Sequence, residues 1–334
     1  MIRVGVIRGG PSSEYDISLA TGGNVLSHLR SDKMSGKYKA IDILIDKEGA
    51  WHVNGRPTNI EYLSNMVDVV FNALHGDFGE DGKVQQMLDQ WHIPYTGSGA
   101  FASALSYNKV LAKQQFSQLG IKTPQYIVLD SSMVNNNDID KFAHAQARAI
   151  WQKFGAPWVV KPQSSGSSFG VKICKSFPEL VEAILVGFNE NVNLLVEEMI
   201  DGKEATVGVI DNFRNKSNYT LPPVEIRIPK SKTFFDYDAK YNGISEEICP
   251  GNFTVKEKEE LEYLASLIHN GLNLSHYSRS DFIIHSRRGI YALEVNTLPG
   301  LTNESLTPKA LSAVGATMPE FLDHIISLAI NKNE

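Results

Sequence analysis

Four side chains able to bind ions recur at regular spacing in the segment YSRSDFIIHSRRGIYALEVNTLPG. A β-hairpin that turns at residues 286–289 places Asp281 opposite Glu294 and Arg279 opposite Asn296. Because side chains two residues apart in a strand point to the same side, all four are expected on one face of the hairpin.

Opposed carboxylates such as Asp281 and Glu294 repel each other, so a cation between them is the simplest reason for the arrangement. Ligands that are all oxygen, with Asn296 as the third, favour magnesium over zinc. Arg279 on the same face could hold a phosphate oxygen. The alternative is a solvated face of charges on a surface hairpin.

A lysine ends the strand pattern in WVVKPQSSGSSFGVKI, where Lys161 precedes a run of small and hydroxylated residues. Such a run cannot bury apolar area and predicts a loop at 163–170. Backbone N–H groups and an ammonium facing one anion would suit phosphate. An ordinary flexible hairpin explains the same residues.

The segment VEEMIDGKEATV carries an acidic pair at a strand end and a third carboxylate after a turn. The end of the strand at Glu197 and Glu198 could offer backbone groups to the edge of a base, and Glu204 could accept hydrogen bonds from ribose hydroxyls. A solvated strand end explains the pair equally well.

Three further residues are candidates with simple structural alternatives. Glu14 follows RGGPSS at a helix start, where the helix dipole would stabilise its carboxylate and where it could also bind an ammonium group. His75 follows a parallel strand, a position used for function but also for packing. Lys109 alone resembles a surface lysine. Pro11 and Glu14 break the G-x-G-x-x-G pattern, which disfavours a dehydrogenase.

Strands and helices alternate over the first hundred residues, which predicts a parallel sheet. Strands are expected at 4–7, 40–46 and 67–74, with a first helix capped by Ser13 and Asp16. The glycine-rich segment YTGSGAFASALSYNK marks a domain boundary close to Gly99.

Composition restricts the class of protein. The 334 residues are 42% hydrophobic with a formal net charge of -6, which favours well-packed cores and argues against a nucleic-acid partner. Only two cysteines occur, Cys174 and Cys249, as expected for reduced thiols. With neither a signal-peptide pattern nor a long apolar run, we expect a cytoplasmic protein with no membrane partner.

Taken together, the segments RGGPSSEYDISL, HGDFGEDG, YTGSG, KPQSSGSSFG, FFDYDAKY and EVNTLPGLTNESL resemble the D-alanine–D-alanine ligase family of ATP-grasp enzymes, in the family's order. The resemblance implies an α/β protein with the ATP-grasp fold and an N-terminal Rossmann-like parallel-sheet domain. It implies a substrate domain at 1–99, a central subdomain with the phosphate-covering loop at 100–195, and a C-terminal subdomain with the metal and second-substrate sites at 196–334.

The same resemblance implies a role for each candidate residue. Lys109 and Lys161 would hold the phosphates of ATP, Glu197 and the backbone near Glu198 and Ile200 would bind adenine, and Glu204 would bind the ribose. The metal ions would be held by Asp281, Glu294 and Asn296, and the negative charge that develops in the reaction would be stabilised by Lys240 and Arg279. The first D-alanine would be bound by Glu14 with Ser167, Tyr241 and nearby His75, and the second by Gly300 and Ser305.

The implied reaction activates one D-alanine as an acyl phosphate, which the amine of a second D-alanine then attacks, giving a dipeptide for peptidoglycan and cell-wall synthesis. ATP and two Mg²⁺ ions are the implied cofactors, with Mn²⁺ as a substitute, and a homodimer is expected. A D-alanine–D-serine or D-alanine–D-lactate ligase and an inactive nucleotide-binding relative stay open as alternatives.

Overall fold

The computed structural model describes residues 1–133, 138–164, 170–227 and 246–331. The N-terminal part forms one five-stranded sheet in the order β4-β3-β2-β1-β5. Its elements are β1 (Ile2–Gly9), α1 (Tyr15–Leu29), β2 (Tyr38–Ile45), β3 (Trp51–Val53), β4 (Arg56–Thr58), α2 (Ile60–Met66), β5 (Val69–Asn72) and α3 (Lys83–Gln90).

The parallel sheet predicted from the alternating pattern is confirmed at its centre, where β2, β1 and β5 run parallel. The short strands β3 and β4 were not predicted, and they add an antiparallel hairpin at the edge. Its turn is Asn54-Gly55, with positive φ angles of 49° and 78°, which is a typical two-residue hairpin turn.

The predicted capping pair of α1 is wrong. The N-cap residue is Glu14 rather than Ser13, and its side chain caps no backbone N–H of the helix. The chain turns through Gly9 and Gly10, both with positive φ, and Ser12 instead accepts a hydrogen bond from the Glu14 N–H. The Glu14 carboxylate is therefore not used to cap α1.

A second, antiparallel sheet has the order β6-β9-β7-β8. One face packs on α6 and α7 around an apolar core that includes Trp158, Leu180 and Ile184. The elements from residue 100 to 198 are α4 (Ala100–Tyr107), α5 (Lys109–Gln118), β6 (Tyr126–Leu129), α6 (Ile139–Lys153), β7 (Trp158–Pro162), β8 (Lys172–Cys174), α7 (Phe177–Asn189) and β9 (Leu194–Glu198).

The third sheet is antiparallel, in the order β13-β12-β10-β14-β15 with β11 paired to β10. Helix α8 packs on it through Leu261, Ala265 and Ile268. Its elements and the last helices are β10 (Lys203–Asp211), β11 (Asn218–Thr220), β12 (Val224–Arg227), β13 (Glu246–Ile248), α8 (Val255–Gly271), β14 (Tyr277–His285), β15 (Gly289–Asn296), α9 (Leu306–Ala313) and α10 (Met318–Asn331).

The final helices return to the beginning of the chain. Phe321 and Ile325 of α10 belong to the same hydrophobic core as Val4 and Val6 of β1 and Leu26 of α1. The three predicted domain ranges stay a prediction.

Within the described ranges, no single helix combines the length and hydropathy of a membrane span. Helices α9 and α10 pass that test only as a pair, on length and composition, and they meet at an angle of 106°.

Candidate active site

One cavity brings together residues from the two antiparallel sheets, from α1 and the loops beside it, and from the loop after β15. Of the candidate residues, these line it: Glu14, His75, Lys109, Lys161, Glu197, Glu198, Ile200, Glu204, Arg279, Asp281, Glu294, Asn296, Gly300 and Ser305. The remaining three, Ser167, Lys240 and Tyr241, lie outside the described residues.

The predicted pairing in the late hairpin is confirmed at the site. Asp281 lies opposite Glu294 and Arg279 opposite Asn296. We name these four residues the hairpin cluster. The register closer to the turn differs from the prediction, because His285 pairs with Gly289.

Two departures from the predicted hairpin cancel each other. The loop has three residues, 286–288, rather than a two-residue centre, and Gly289 follows it with a φ of +85°. A bulge at Leu293 then shifts the register by one residue between Phe282 and Asp281. The bulge restores the predicted opposition of the two carboxylates.

Within the hairpin cluster, Asp281 accepts hydrogen bonds from Arg279 Nε and Nη2, both at 3.0 Å. It also accepts one from Thr206 Oγ1 at 2.5 Å, across from it on β10. The Asn296 Oδ1 atom accepts from the Leu298 N–H at 2.9 Å. Arg279 and Thr206 thus fix the Asp281 carboxylate, and the Leu298 N–H fixes the Asn296 amide.

The donor set fits a hard divalent cation, since Asp281, Glu294 and Asn296 offer only oxygen atoms and line one cavity. Carboxylates have about four lone-pair directions, so the bonds to Arg279 leave Asp281 further acceptor capacity. Among the described residues no group of three or more His, Cys, Asp or Glu could hold a metal ion. Two carboxylates and an amide suit a metal that keeps water or phosphate oxygens as its other ligands.

The two lysines predicted to bind phosphate both line the cavity, and backbone contacts connect the segments that carry them. Asn108 caps α5 through hydrogen bonds from the Val110 and Leu111 N–H groups, and it forms a β-bridge with Ser164. The Lys109 N–H donates to the Gln163 carbonyl at 3.0 Å. The surface-lysine interpretation is wrong for Lys109, which is buried.

A second charged group lies deeper in the cavity wall. Glu197 of β9 has Lys161 Nζ at 2.8 Å from one carboxylate oxygen and Lys113 Nζ at 2.7 Å from the other. We name Lys113, Lys161 and Glu197 the buried triad. Sequence reasoning missed Lys113, although it lies one helical turn after Lys109 and so on the same face of α5.

The solvated-strand-end interpretation holds for neither member of the acidic pair. Glu197 is only 2% exposed. The Glu198 carboxylate accepts from the Gln125 N–H at 3.1 Å and from Arg288 Nη1 at 2.9 Å. Glu198 therefore links the end of β9 to the turn of the hairpin.

At the N-terminal side of the cavity, His75 is buried and held by two groups. Its Nε2 lies 2.9 Å from Thr21 Oγ1, and its Nδ1 lies 3.6 Å from Glu80 Oε1. Gly76 has a φ of +69°, and a Cβ there would come within 2.5 Å of Ser12 Oγ and 3.2 Å of Glu14 Oε1. Glycine thus lets the loop after β5 approach Glu14 closely.

Thr21 and Glu80 were not predicted, but the sequence contains a signal for one of them. Glu80 lies in the acidic run DFGED shortly after His75. A loop this short can fold back and bring the Glu80 side chain next to His75. Thr21 lies on the buried face of α1, and periodicity does not separate it from core positions.

The second-substrate candidates meet at the start of α9. Ser305 is the N-cap residue, and its Oγ accepts from the Thr302 N–H at 3.1 Å. A Cβ on Gly300 would lie 2.9 Å from that Oγ, so the loop and the serine are in close contact.

Sequence comparison identifies relatives along the whole chain. The family model described as D-ala D-ala ligase C-terminus matches residues 115–327, and D-ala D-ala ligase N-terminus matches 3–65 and 53–98. A protein of Fervidobacterium nodosum named D-alanine–D-alanine ligase is 36% identical, with 98% of this chain and 99% of the relative covered.

Solved structures agree with the sequence matches. The D-alanine–D-alanine ligase of Bacillus anthracis complexed with ATP superposes with a TM-score of 0.76 at 30% identity, covering 99% of this chain and 98% of that one. A D-Ala:D-Ser ligase of Enterococcus faecalis gives 0.82 at 27% identity, covering 98% and 99%.

The fold and the cavity define an enzyme of the ATP-grasp class. Within that class, the chain belongs to the D-alanine–D-alanine ligase family. The family and fold predicted from the sequence are thereby confirmed.

Proposed function

We propose that this chain joins two molecules of D-alanine into D-alanyl-D-alanine at the expense of ATP, for peptidoglycan synthesis. The observation that carries the proposal is that the candidate residues in the described part of the chain line one cavity. The full-length match to D-alanine–D-alanine ligases supports it. Lysines, carboxylates and the N-terminal pair Glu14 and His75 face the same space.

A carboxylate becomes reactive toward an amine when the γ-phosphoryl group of ATP is transferred to it. Lys109 and Lys161 hold the phosphates, while Glu197 and Glu204 bind the base and the ribose. Arg279 stabilises the negative charge that grows on oxygen during both steps, which is usually a large part of catalysis in such transfers.

Magnesium ions would be held by Asp281, Glu294 and Asn296. When bound, Mg²⁺ neutralises phosphate charge and orients the terminal phosphoryl group. The all-oxygen character of these ligands supports this choice, with Mn²⁺ as a substitute.

The two amino acids occupy opposite ends of the reacting centre. Glu14 binds the ammonium group of the first D-alanine beside His75, and Ser305 with Gly300 receives the second. Ser167 and Tyr241 are proposed to complete the first-substrate contacts, and Lys240 to assist Arg279, although all three lie outside the described residues.

We further propose that the protein works in the cytoplasm as a homodimer. The two free cysteines fit a reducing compartment. Light scattering coupled to size-exclusion chromatography would give the mass, and a monomer at micromolar concentration would contradict the dimer.

The test of function is phosphate release with ATP, Mg²⁺ and D-alanine, with the dipeptide identified by mass spectrometry. We expect release only with D-alanine, and a strong loss in Glu294→Gln but not in the control Glu259→Gln, an exposed carboxylate on α8. Preference for D-serine or D-lactate as second substrate would favour the related ligases. No turnover with any of them would contradict the proposal.

A further inference from the structure

Lys113 is a buried cation to which the proposed reaction assigns no role. Its side chain is 0% exposed and does not line the cavity, whereas Glu197 and Lys161 do. Its Nζ lies 2.7 Å from Glu197 Oε1 and donates to Thr123 Oγ1 at 2.7 Å. The ring of Tyr126 lies 6.0 Å away. The ammonium is therefore fixed behind the carboxylate.

The two lysines of the buried triad differ in what else they can contact. Lys161 faces the cavity, where a phosphate can share its hydrogen-bonding capacity. Lys113 has no such access, so a bound phosphate cannot compete directly with Glu197 for its ammonium group. Of the two counter-ions of Glu197, Lys113 is thus the one that a ligand in the cavity cannot reach.

The charge state of Glu197 depends on these neighbours. Burial alone would raise the pKa of Glu197, but the charges and hydrogen bonds of Lys113 and Lys161 outweigh burial and lower it. Burial lowers the pKa of Lys113 to about 8, against the opposing charge of Glu197. An ionised Glu197 can only accept hydrogen bonds.

We propose that Lys113 is a positioning residue, which holds Glu197 as a fixed acceptor and thereby makes the nucleotide site select 6-amino purines over 6-oxo purines. The proposal rests on the proposed function, in which Glu197 faces the base of ATP. An exocyclic amino group donates to the carboxylate, whereas a 6-oxo group places oxygen against oxygen and leaves both without a donor. Discrimination then comes from a repulsive contact as well as an attractive one.

Loss of the Lys113 charge would weaken this discrimination. With one counter-ion instead of two, the buried carboxylate can turn or take up a proton, and a protonated carboxyl donates to a 6-oxo group. A site altered in this way would accept inosine nucleotides relatively better.

The experiment compares ATP with inosine triphosphate in the wild type and in Lys113→Met, which keeps the length of the side chain without its charge. We expect the wild type to prefer ATP at least 100-fold in kcat/KM and the variant to reduce that ratio at least tenfold. The change should lie mainly in KM, because Lys113 does not line the cavity and is proposed to act through Glu197 on binding of the base. Lys122→Met, at an exposed lysine on the same connection, should leave the ratio unchanged.

A binding measurement separates this proposal from the proposed function. Calorimetry of ADP and inosine diphosphate with Mg²⁺, without D-alanine, should show the same preference and the same reduction in the variant. Equal weakening of both nucleotides in Lys113→Met would mean that Lys113 is merely structural and would overturn the proposal. Failure of dipeptide synthesis with normal ADP preference would contradict the function alone.

If Lys113→Met does not fold, two other results decide. A wild type that uses or binds the two nucleotides within twofold of each other overturns the proposal without any variant. Glu197→Gln, which can donate as well as accept, should lower the preference for adenine nucleotides at least tenfold, and an unchanged preference would equally overturn it.

Discussion

The hairpin cluster and the buried triad both place carboxylates among cations, but they differ in origin and exposure. Arg279 and Asp281 of the hairpin cluster have side chains 14% and 19% exposed and lie two residues apart. The triad combines α5, β7 and β9, and its side chains are at most 8% exposed. Partly exposed charges can exchange partners when a ligand arrives, whereas fully buried ones cannot do so without large cost. The comparison thus contrasts a partly exposed ion pair formed within one hairpin with a buried one assembled from three separate elements.

The largest expected effect concerns stability in the buried triad. Glu197→Ala leaves two buried lysines without their counter-ion, and breaking such a pair costs about 3–5 kcal/mol of unfolding free energy. Urea denaturation followed by circular dichroism measures it. Glu198→Ala is the control, because its pair with Arg288 is 40% exposed on the arginine side and such pairs contribute at most about 1 kcal/mol. Similar losses of unfolding free energy in both variants would contradict the distinction between the buried triad and an exposed ion pair.

For the hairpin cluster we expect a large effect on activity and a small effect on stability. Asp281→Asn keeps the shape of the side chain but removes a charged oxygen, so we expect ATP turnover to fall at least 100-fold, about 2.7 kcal/mol of activation free energy. The unfolding free energy should change by less than about 2 kcal/mol, because a partly exposed pair contributes little. Kinetics and urea denaturation on one sample test both parts. Full activity in this variant would place the metal and phosphate chemistry elsewhere.

The smallest expected effect is a difference in acid sensitivity. The folded-state pKa of Glu197 lies below the ordinary 4.5, so its stabilisation is fully present above pH 4.5 and is lost as the pH falls through the folded value. Glu197→Gln should therefore have a lower unfolding free energy than the wild type at pH 7, and this gap in unfolding free energy should narrow below pH 4.5. Urea denaturation at pH 3.5 to 7 measures the gap. A constant gap would mean that Glu197 ionisation does not stabilise the fold.

The same contrast explains what could be predicted from the sequence. The opposition of Asp281 and Glu294 could be predicted because a hairpin brings residues at a regular spacing into contact. The predicted pairing is correct although the predicted loop length is wrong, because the bulge at Leu293 offsets the longer loop. Lys113 and Glu197 are 84 residues apart in the sequence, and no helix or strand periodicity predicts their contact. Only the tertiary fold joins them: α5 packs on β15 of the third sheet, and from there Lys113 reaches Glu197 on β9.

Signals that sequence reasoning overlooked were mostly local. Asn54-Gly55 is a typical hairpin signal and would have revealed β3 and β4. The predicted start of α1 lies one residue early because Ser13 and Asp16 resemble a capping pair, whereas the N-cap residue is Glu14, whose side chain makes no capping hydrogen bond. The contact of His75 with Thr21 depends on how α1 packs on the sheet, which spacing does not encode.

The core shared by β1 and α10 bears on how the chain acquires its fold during translation. Val4 and Val6 leave the ribosome some three hundred residues before Phe321 and Ile325, which cover the same apolar surface. The nascent N-terminal sheet therefore exposes part of its apolar surface during most of translation. Exposed apolar surface of this kind promotes aggregation, against which chaperones protect a nascent chain.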